Sequence, residues 1–169
     1  MLMEIGLSLG SNLGNRLEHL RQAKAIISGI KDVTAVKSSS VYETDPVGVS
    51  VEYSQITFLN AVLIASVNFS LESLFDSLIV IEKKMGRRRG NDRNAPRPID
   101  IDIIFAGDAV IRTASLEIPH PRWALRRFVV QPLAELNPDL RIPGENRTVQ
   151  EVLLALPTEP KVILFSSQW

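Results

Sequence analysis

Two aspartates in alternation follow an arginine-rich turn in the stretch Arg93-Asn94-Ala95-Pro96-Arg97-Pro98-Ile99-Asp100-Ile101-Asp102-Ile103-Ile104. On a strand, alternate side chains share a face, so Asp100 and Asp102 point the same way, about 7 Å apart along the chain. A pair so placed reaches divalent ions spaced roughly 3.5–4 Å apart. Just upstream, Gly86-Arg87-Arg88-Arg89-Gly90 offers guanidinium groups of the kind that hold phosphate oxygens. Carboxylates for metal beside arginines for phosphate point to a metal–polyphosphate site, and so to ATP chemistry. The plain alternative puts the isoleucines in a core and the aspartates in water. Against it, aspartate is depleted in strands and a close like charge is unfavourable without a compensating cation. Arg97, three residues before Asp100, reaches toward phosphates held at the aspartates. Arg87 and Arg97 are therefore the favoured phosphate ligands, with at least one of Arg88, Arg89 and Arg93 left to solvent.

Other residues add to this site or stand aside from it. His120 lies in Pro119-His120-Pro121, where both prolines restrict the backbone, and Arg122, Arg126 and Arg127 follow closely. A lone histidine is often structural, but these arginines suit an anion-facing role equally well. Asn60 interrupts the apolar run Phe58-Leu59-Asn60-Ala61-Val62-Leu63. A buried amide must find partners, either by tying down a loop or by reading the edge of a planar heterocycle. By periodicity alone Phe58 and Phe128 are ordinary core.

These residues need a scaffold. At 169 residues with 45% apolar and 22% charged content, the chain is expected to form one domain, 1–169, with a proper core. Lys+Arg and Asp+Glu both total 19, so net charge offers no steering. Eleven of the nineteen basic residues fall within 83–127, a local basic face suited to a small anion. With no cysteine, disulfides, thiolate metal sites and cysteine nucleophiles are excluded. The N-terminus lacks a signal-peptide pattern, and no apolar run approaches a membrane span. A cytoplasmic protein is expected, monomeric, acting on small molecules and not on nucleic acid or membrane.

The apolar pattern predicts a strand over 2–9, a turn at Gly10-Ser11-Asn12, and a helix over 15–30 opened by Asn15 and Glu18 as a capping box. A strand over 33–42 leads to a long loop, 43–57, and a strong strand over 58–67. Ser70 caps a helix that Gly86 ends, and a strand follows over 99–105. A further short strand is expected over 110–113, helical segments within 122–136 and over 149–156, and an edge strand over 161–165. The order β-α-β-β-α-β predicts an α+β, ferredoxin-like antiparallel sheet with both helices on one face, followed by C-terminal additions.

Arg93-x-Ala95-Pro96-Arg97-x-x-Asp100-Ile101-Asp102-Ile103-Ile104 resembles the signature of the 6-hydroxymethyl-7,8-dihydropterin pyrophosphokinases of folate biosynthesis. The resemblance extends through Leu9-Gly10-Ser11-Asn12-Leu13, Tyr42-x-Thr44, Phe58-Leu59-Asn60-Ala61, Ile81-Glu82 with Gly86-Arg87, Pro119-His120, Arg126-x-Phe128 and Gln131-Pro132-Leu133-Ala134-Glu135-Leu136. It implies transfer of the β,γ-pyrophosphoryl group of ATP to a hydroxymethyl oxygen, with release of AMP. It also implies two magnesium ions held at Asp100 and Asp102. Arg87, Arg97, His120 and Arg126 match triphosphate contacts. Phe58 and Phe128 match the aromatic pair around the pterin ring, with Thr44, Asn60 and loop backbone near Asp45 and Val47 at the ring's edge. Ile103 matches the position whose backbone reads adenine, and Asn12 and Glu82 match site-lining positions. Asp102 as acceptor of the hydroxyl proton and a metal-bound alkoxide stand as alternatives.

The chain departs from the commoner family pattern at Asp45, at Phe58 in place of tyrosine, and at Asn94 in place of an aromatic residue. Two other readings compete. An RNA-binding sheet would carry exposed aromatics in a Gly-Phe-rich strand, and no strand has them. A two-metal phosphohydrolase would need a further carboxylate or histidine cluster.

Overall fold

Alternation of apolar residues gives the sheet two different faces. The computed structural model describes residues 2–88, 92 and 94–169; Arg89, Gly90 and Arg93, singled out above, lie outside them. Strands β1 (Met3–Ser11), β2 (Val33–Ser38), β3 (Val41–Thr44), β4 (Phe58–Val67), β5 (Asp100–Ala106) and β8 (Val162–Ser166) form one antiparallel sheet. Its order is β5-β1-β4-β3-β8, with β2 also paired to β4. Two short strands, β6 (Ile111–Arg112) and β7 (Glu117–Ile118), pair separately.

One sheet face carries Ile5, Leu7 and Leu9 of β1 and Leu59, Ala61 and Leu63 of β4. These are buried against α1 (Arg16–Ser28) and α2 (Leu71–Lys84). Asn15 caps α1 by accepting from the Glu18 N–H, and Ser70 caps α2 by accepting from the Ser73 N–H. Beyond α2, Gly86 turns the chain at φ +91°, a conformation that favours glycine.

The opposite face is divided. Val62, Ile64, Ile104 and Phe105 form a second core with Val130 and Leu133 of α3 (Arg127–Leu136) and Val149 and Val152 of α4 (Val149–Ala155). The C-terminal additions are thus a layer on the sheet's other face. The other half of that face carries Ser8, Gly10, Phe58, Asn60, Asp100 and Asp102, which border an open cleft.

Three details differ from the expected pattern. The strand over 33–42 is broken at Ser39-Ser40. There the Ser39 N–H donates to the Val62 carbonyl, and the Ser39 hydroxyl accepts from the Val62 N–H, so a side chain replaces a ladder carbonyl. In β5 the register shifts: Leu7 pairs Ile103 but Gly6 pairs Phe105, leaving Ile104 as the extra residue of a bulge. The bulge turns Phe105 onto the α3 side, over Gly6, where a Cβ would lie 2.3 Å from its ring. The Gly10-Ser11 turn expected after β1 is strand; pairing to β4 carries it to Ser11↔Leu59.

Candidate active site

The cleft has a volume of about 980 Å³, at the upper end of ligand pockets. Its charged half is built by β5. Asp100 pairs with Arg87, and with Arg97 at 3.2 Å. Arg87 also pairs with Glu82, which is 3% exposed and accepts the Ile101 N–H at 2.8 Å. Burial pushes the Glu82 carboxyl above its ordinary value, against the pull of the Ile101 N–H and Arg87. Glu82 therefore lies beneath the cleft and fixes Arg87 to the strand bearing Asp100.

Asp102 has different company. Arg126 lies 3.6 Å and the His120 Nε2 3.7 Å from its Oδ2. Burial first, and the charge of Asp100 second, push its carboxyl up to about 6. His120 is pinned by its own N–H to the Ile104 carbonyl at 2.9 Å, and its Nδ1 accepts the Arg122 N–H at 3.0 Å. Burial, then Arg126 and Arg122, lower its imidazole to about 4. The neutral ring with Nδ1 as acceptor carries its proton on Nε2, the nitrogen nearest Asp102. Arg126 Nη1 also lies 3.3 Å from Nε2.

The other half of the cleft is apolar-walled. Phe58 and Phe128 both border it. Arg97 lies over the Phe58 ring, 5.8 Å from guanidinium carbon to centroid, and Arg126 over Phe128 at 5.7 Å. At its edge the Asn60 amide donates to the Thr44 hydroxyl at 2.8 Å, both residues being buried. Asp45 and Val47 border the same edge from the 45–57 loop, and Asn94 donates to the Gly48 carbonyl at 3.3 Å.

Most of the sequence-predicted residues thus meet in one cleft. Four do not line it: His120 borders a neighbouring pocket and meets Asp102 from that side, and three sit behind the cleft. Asn12 accepts the Arg97 N–H at 2.8 Å and donates its own N–H to the Arg97 carbonyl, latching the turn before β5. Glu82 acts through Arg87. Ile103 turns its buried side chain into the α1–α2 core, leaving only backbone for a cleft role. Sequence reasoning missed the wall from Leu156 to Val162. Arg127 supports that wall by donating to the carbonyls of Leu153, Leu156 and Pro157. Only its position beside Phe128 hinted at this.

Fold and site together define an α+β protein with a cleft on one sheet face, where aromatic walls adjoin a cluster of arginines and carboxylates. Residues 6–138 match the family described as 7,8-dihydro-6-hydroxymethylpterin-pyrophosphokinase (HPPK), and the chain belongs to that family. It is 35% identical over 159 residues to the 2-amino-4-hydroxy-6-hydroxymethyldihydropteridine pyrophosphokinase of Pseudomonas aeruginosa, covering 94% of this chain and 95% of that one. It is 41% identical over 134 residues to the folic acid synthesis protein fol1 of Pneumocystis carinii, covering 79% of this chain but 17% of that protein. The Plasmodium falciparum HPPK-DHPS structure with pteroate has the same fold, with a TM-score of 0.70 and 15% identity over 91% of this chain and 42% of that one. The chain therefore spans nearly all of one relative and only part of the other two. No helix of the described residues is long and apolar enough to cross a membrane.

Proposed function

We propose that this chain transfers the β,γ-pyrophosphoryl group of ATP to the hydroxymethyl oxygen of 6-hydroxymethyl-7,8-dihydropterin in folate synthesis. The observation that carries the reading is the continuity of the cleft. An aromatic-walled slot edged by Asn60 and Thr44 runs directly into the arginine–aspartate cluster at Asp100 and Asp102. A flat heterocycle with polar edge atoms needs apolar faces and paired donors and acceptors. A polyphosphate needs the arginines.

In this reading Phe58 and Phe128 hold the pterin ring, Asn60, Thr44 and the backbone near Asp45 and Val47 its edge. Arg87, Arg97, Arg126 and neutral His120 hold the triphosphate, and Ile103 backbone the adenine. Asp100 and Asp102 fit magnesium. A hard ion that keeps its waters and binds substrate phosphates needs only one or two carboxylates, and no larger histidine–carboxylate group occurs among the described residues. When bound, two magnesium ions would neutralise phosphate charge and align the transferring group.

The hydroxymethyl oxygen bonds to the β-phosphorus and the bond from that phosphorus to the α,β-bridging oxygen breaks. AMP leaves with that oxygen, and the hydroxyl proton is released. No covalent enzyme intermediate is needed, so catalysis rests on alignment and charge stabilisation. Asp100 neutralises Arg87 and Arg97 before substrate arrives, and these arginines exchange it for phosphate oxygens as nucleotide binds. The strand order and paired helices of 3–106 support a ferredoxin-like core. The entry of β8 into the sheet that holds β1 supports one domain over 1–169.

Incubation with ATP, magnesium and the dihydropterin alcohol tests the reaction. AMP and the pterin diphosphate should form one for one. Release of ADP, or AMP formation independent of the pterin, would overturn it.

A further inference from the structure

The Thr44–Phe58 pair is the last of the β3–β4 ladder, and beyond it the chain opens into the 45–57 loop. The ring-edge hydroxyl and one ring wall thus stand at a ladder end, where hydrogen bonding gives least restraint. Their neighbours in sequence, Glu43 and Thr57, meet a single side chain. Arg16, the first residue of α1, donates through Nη2 to Glu43 Oε2 at 2.7 Å. Its Nη1 donates to the Thr57 hydroxyl at 2.7 Å and to the Thr57 carbonyl at 3.1 Å. The Thr57 hydroxyl in turn donates to Glu43 Oε2 at 3.2 Å.

We propose that Arg16 is a positioning residue for the pterin: one guanidinium plane staples the ends of β3 and β4 together from behind and fixes the separation of Thr44 from Phe58. The inference rests on the pterin pocket proposed above. Glu43 lies two residues from Val41 on β3, on the α1 side of the sheet, so Arg16 acts without touching the substrate. An exposed ion pair alone would do little. Here the pair is half-buried, with side-chain exposures of 24% and 35%, and the fork also takes a backbone carbonyl, which fixes the chain itself. Only a planar, multi-donor group spans these acceptors at once; an ammonium does not. The same short segment, 12–16, latches Arg97 through Asn12. The start of α1 thereby sets the position of both halves of the cleft.

The test compares Arg16→Ala, Arg16→Lys and Phe58→Ala with the wild type. Each is titrated with the dihydropterin alcohol in the presence of magnesium and a non-hydrolysable ATP analogue, and assayed for AMP release. Arg16→Ala should raise the pterin Kd and KM on the order of tenfold, with KM for ATP within about twofold of wild type. Arg16→Lys should fall between, keeping the charge but not the fork. If Phe58→Ala loses pterin affinity while Arg16→Ala keeps it, the clamp is overturned and the pocket stands. If both keep it, the pocket reading fails and the clamp with it. Equal losses toward ATP and pterin in Arg16→Ala would mark general loosening and also overturn the proposal. Should Arg16→Ala prove too unstable to assay, Thr57→Val decides: it removes one arm of the staple, and an unchanged pterin KM would overturn it.

Discussion

Asp100 and Asp102 are neighbours with unlike surroundings, and this separates their expected behaviour. Asp100 is paired with Arg87 and Arg97, whereas Asp102 faces Arg126 and a neutral histidine. Alanine at either position should lower kcat/KM by on the order of 10²-fold or more, with the fold intact, because no core cavity opens. Asp100→Asn should do something further: it removes one carboxylate charge from beside Arg87 and Arg97, so metal-free ATP should bind more tightly even as activity collapses. Titration of ATP in EDTA checks this, and weaker binding would mean that these arginines do not receive phosphate. On the apolar side, Asn60→Ala should weaken pterin binding by roughly 1–3 kcal/mol through an unpaired ring edge, while sparing ATP. Calorimetric titration with each ligand reads the difference. The aspartate pair and the arginines around it were legible in the sequence because strand alternation and short spacing are local. Glu82 beneath Arg87, the Asn12 latch and the Leu156–Val162 wall were not legible as such. The latch and the wall join segments far apart in the chain, and Glu82, five residues from Arg87, is tied to β5 through the Ile101 N–H.

At the scale of elements, the cleft exists because one sheet face is covered by α3 and α4 over only half its extent. Residues that would fill the other half are small: Ser8 and Gly10 of β1 lie beside Asn60 and Phe58, and a Cβ at Gly10 would come 3.3 Å from the Asn60 amide oxygen. At the covered end Gly6 has a packing duty instead, since the bulged Phe105 ring lies directly on it. Gly6→Ala should therefore destabilise the protein by about 1–3 kcal/mol, read as a lower urea midpoint with unchanged slope. An unchanged midpoint would mean that Phe105 repacks freely. The strand over 58–67 and the helix after Ser70 were readable because a ten-residue, mostly apolar run, capping and helical spacing agree with their tertiary placement. The break at Ser39 and the bulge at Ile104 were not, because each is decided by what the partner strand offers. The division of the sheet face was equally hidden, for it depends on where α3 lands.

Across the whole molecule, the seam between cleft and second core holds two groups that titrate in opposite senses. His120 is lowered in the folded state from about 6.5 to about 4, so its contribution to stability is complete above 6.5 and is lost as pH falls through 4. Asp102 is raised from 3.8 to about 6, so its contribution is complete below 3.8 and is lost as pH rises through 6. Between pH 4 and 6 the two slopes oppose each other, and without metal the pair should contribute little net pH dependence. Removing either one should unbalance them. His120→Asn, compared with wild type in EDTA, should lose relative stability as pH rises from 4 to 6.5, the difference reporting the lost His120 slope. Asp102→Asn should instead gain relative stability over pH 4 to 6, the difference reporting the lost Asp102 slope. Because the Asp102 side chain is 42% exposed at the cleft, water screens part of its effect, and its slope should be the shallower of the two. Urea midpoints at half-unit pH steps, taken as differences from wild type, measure both. Slopes of the same sign in the two variants would show that the groups do not share this seam in solution.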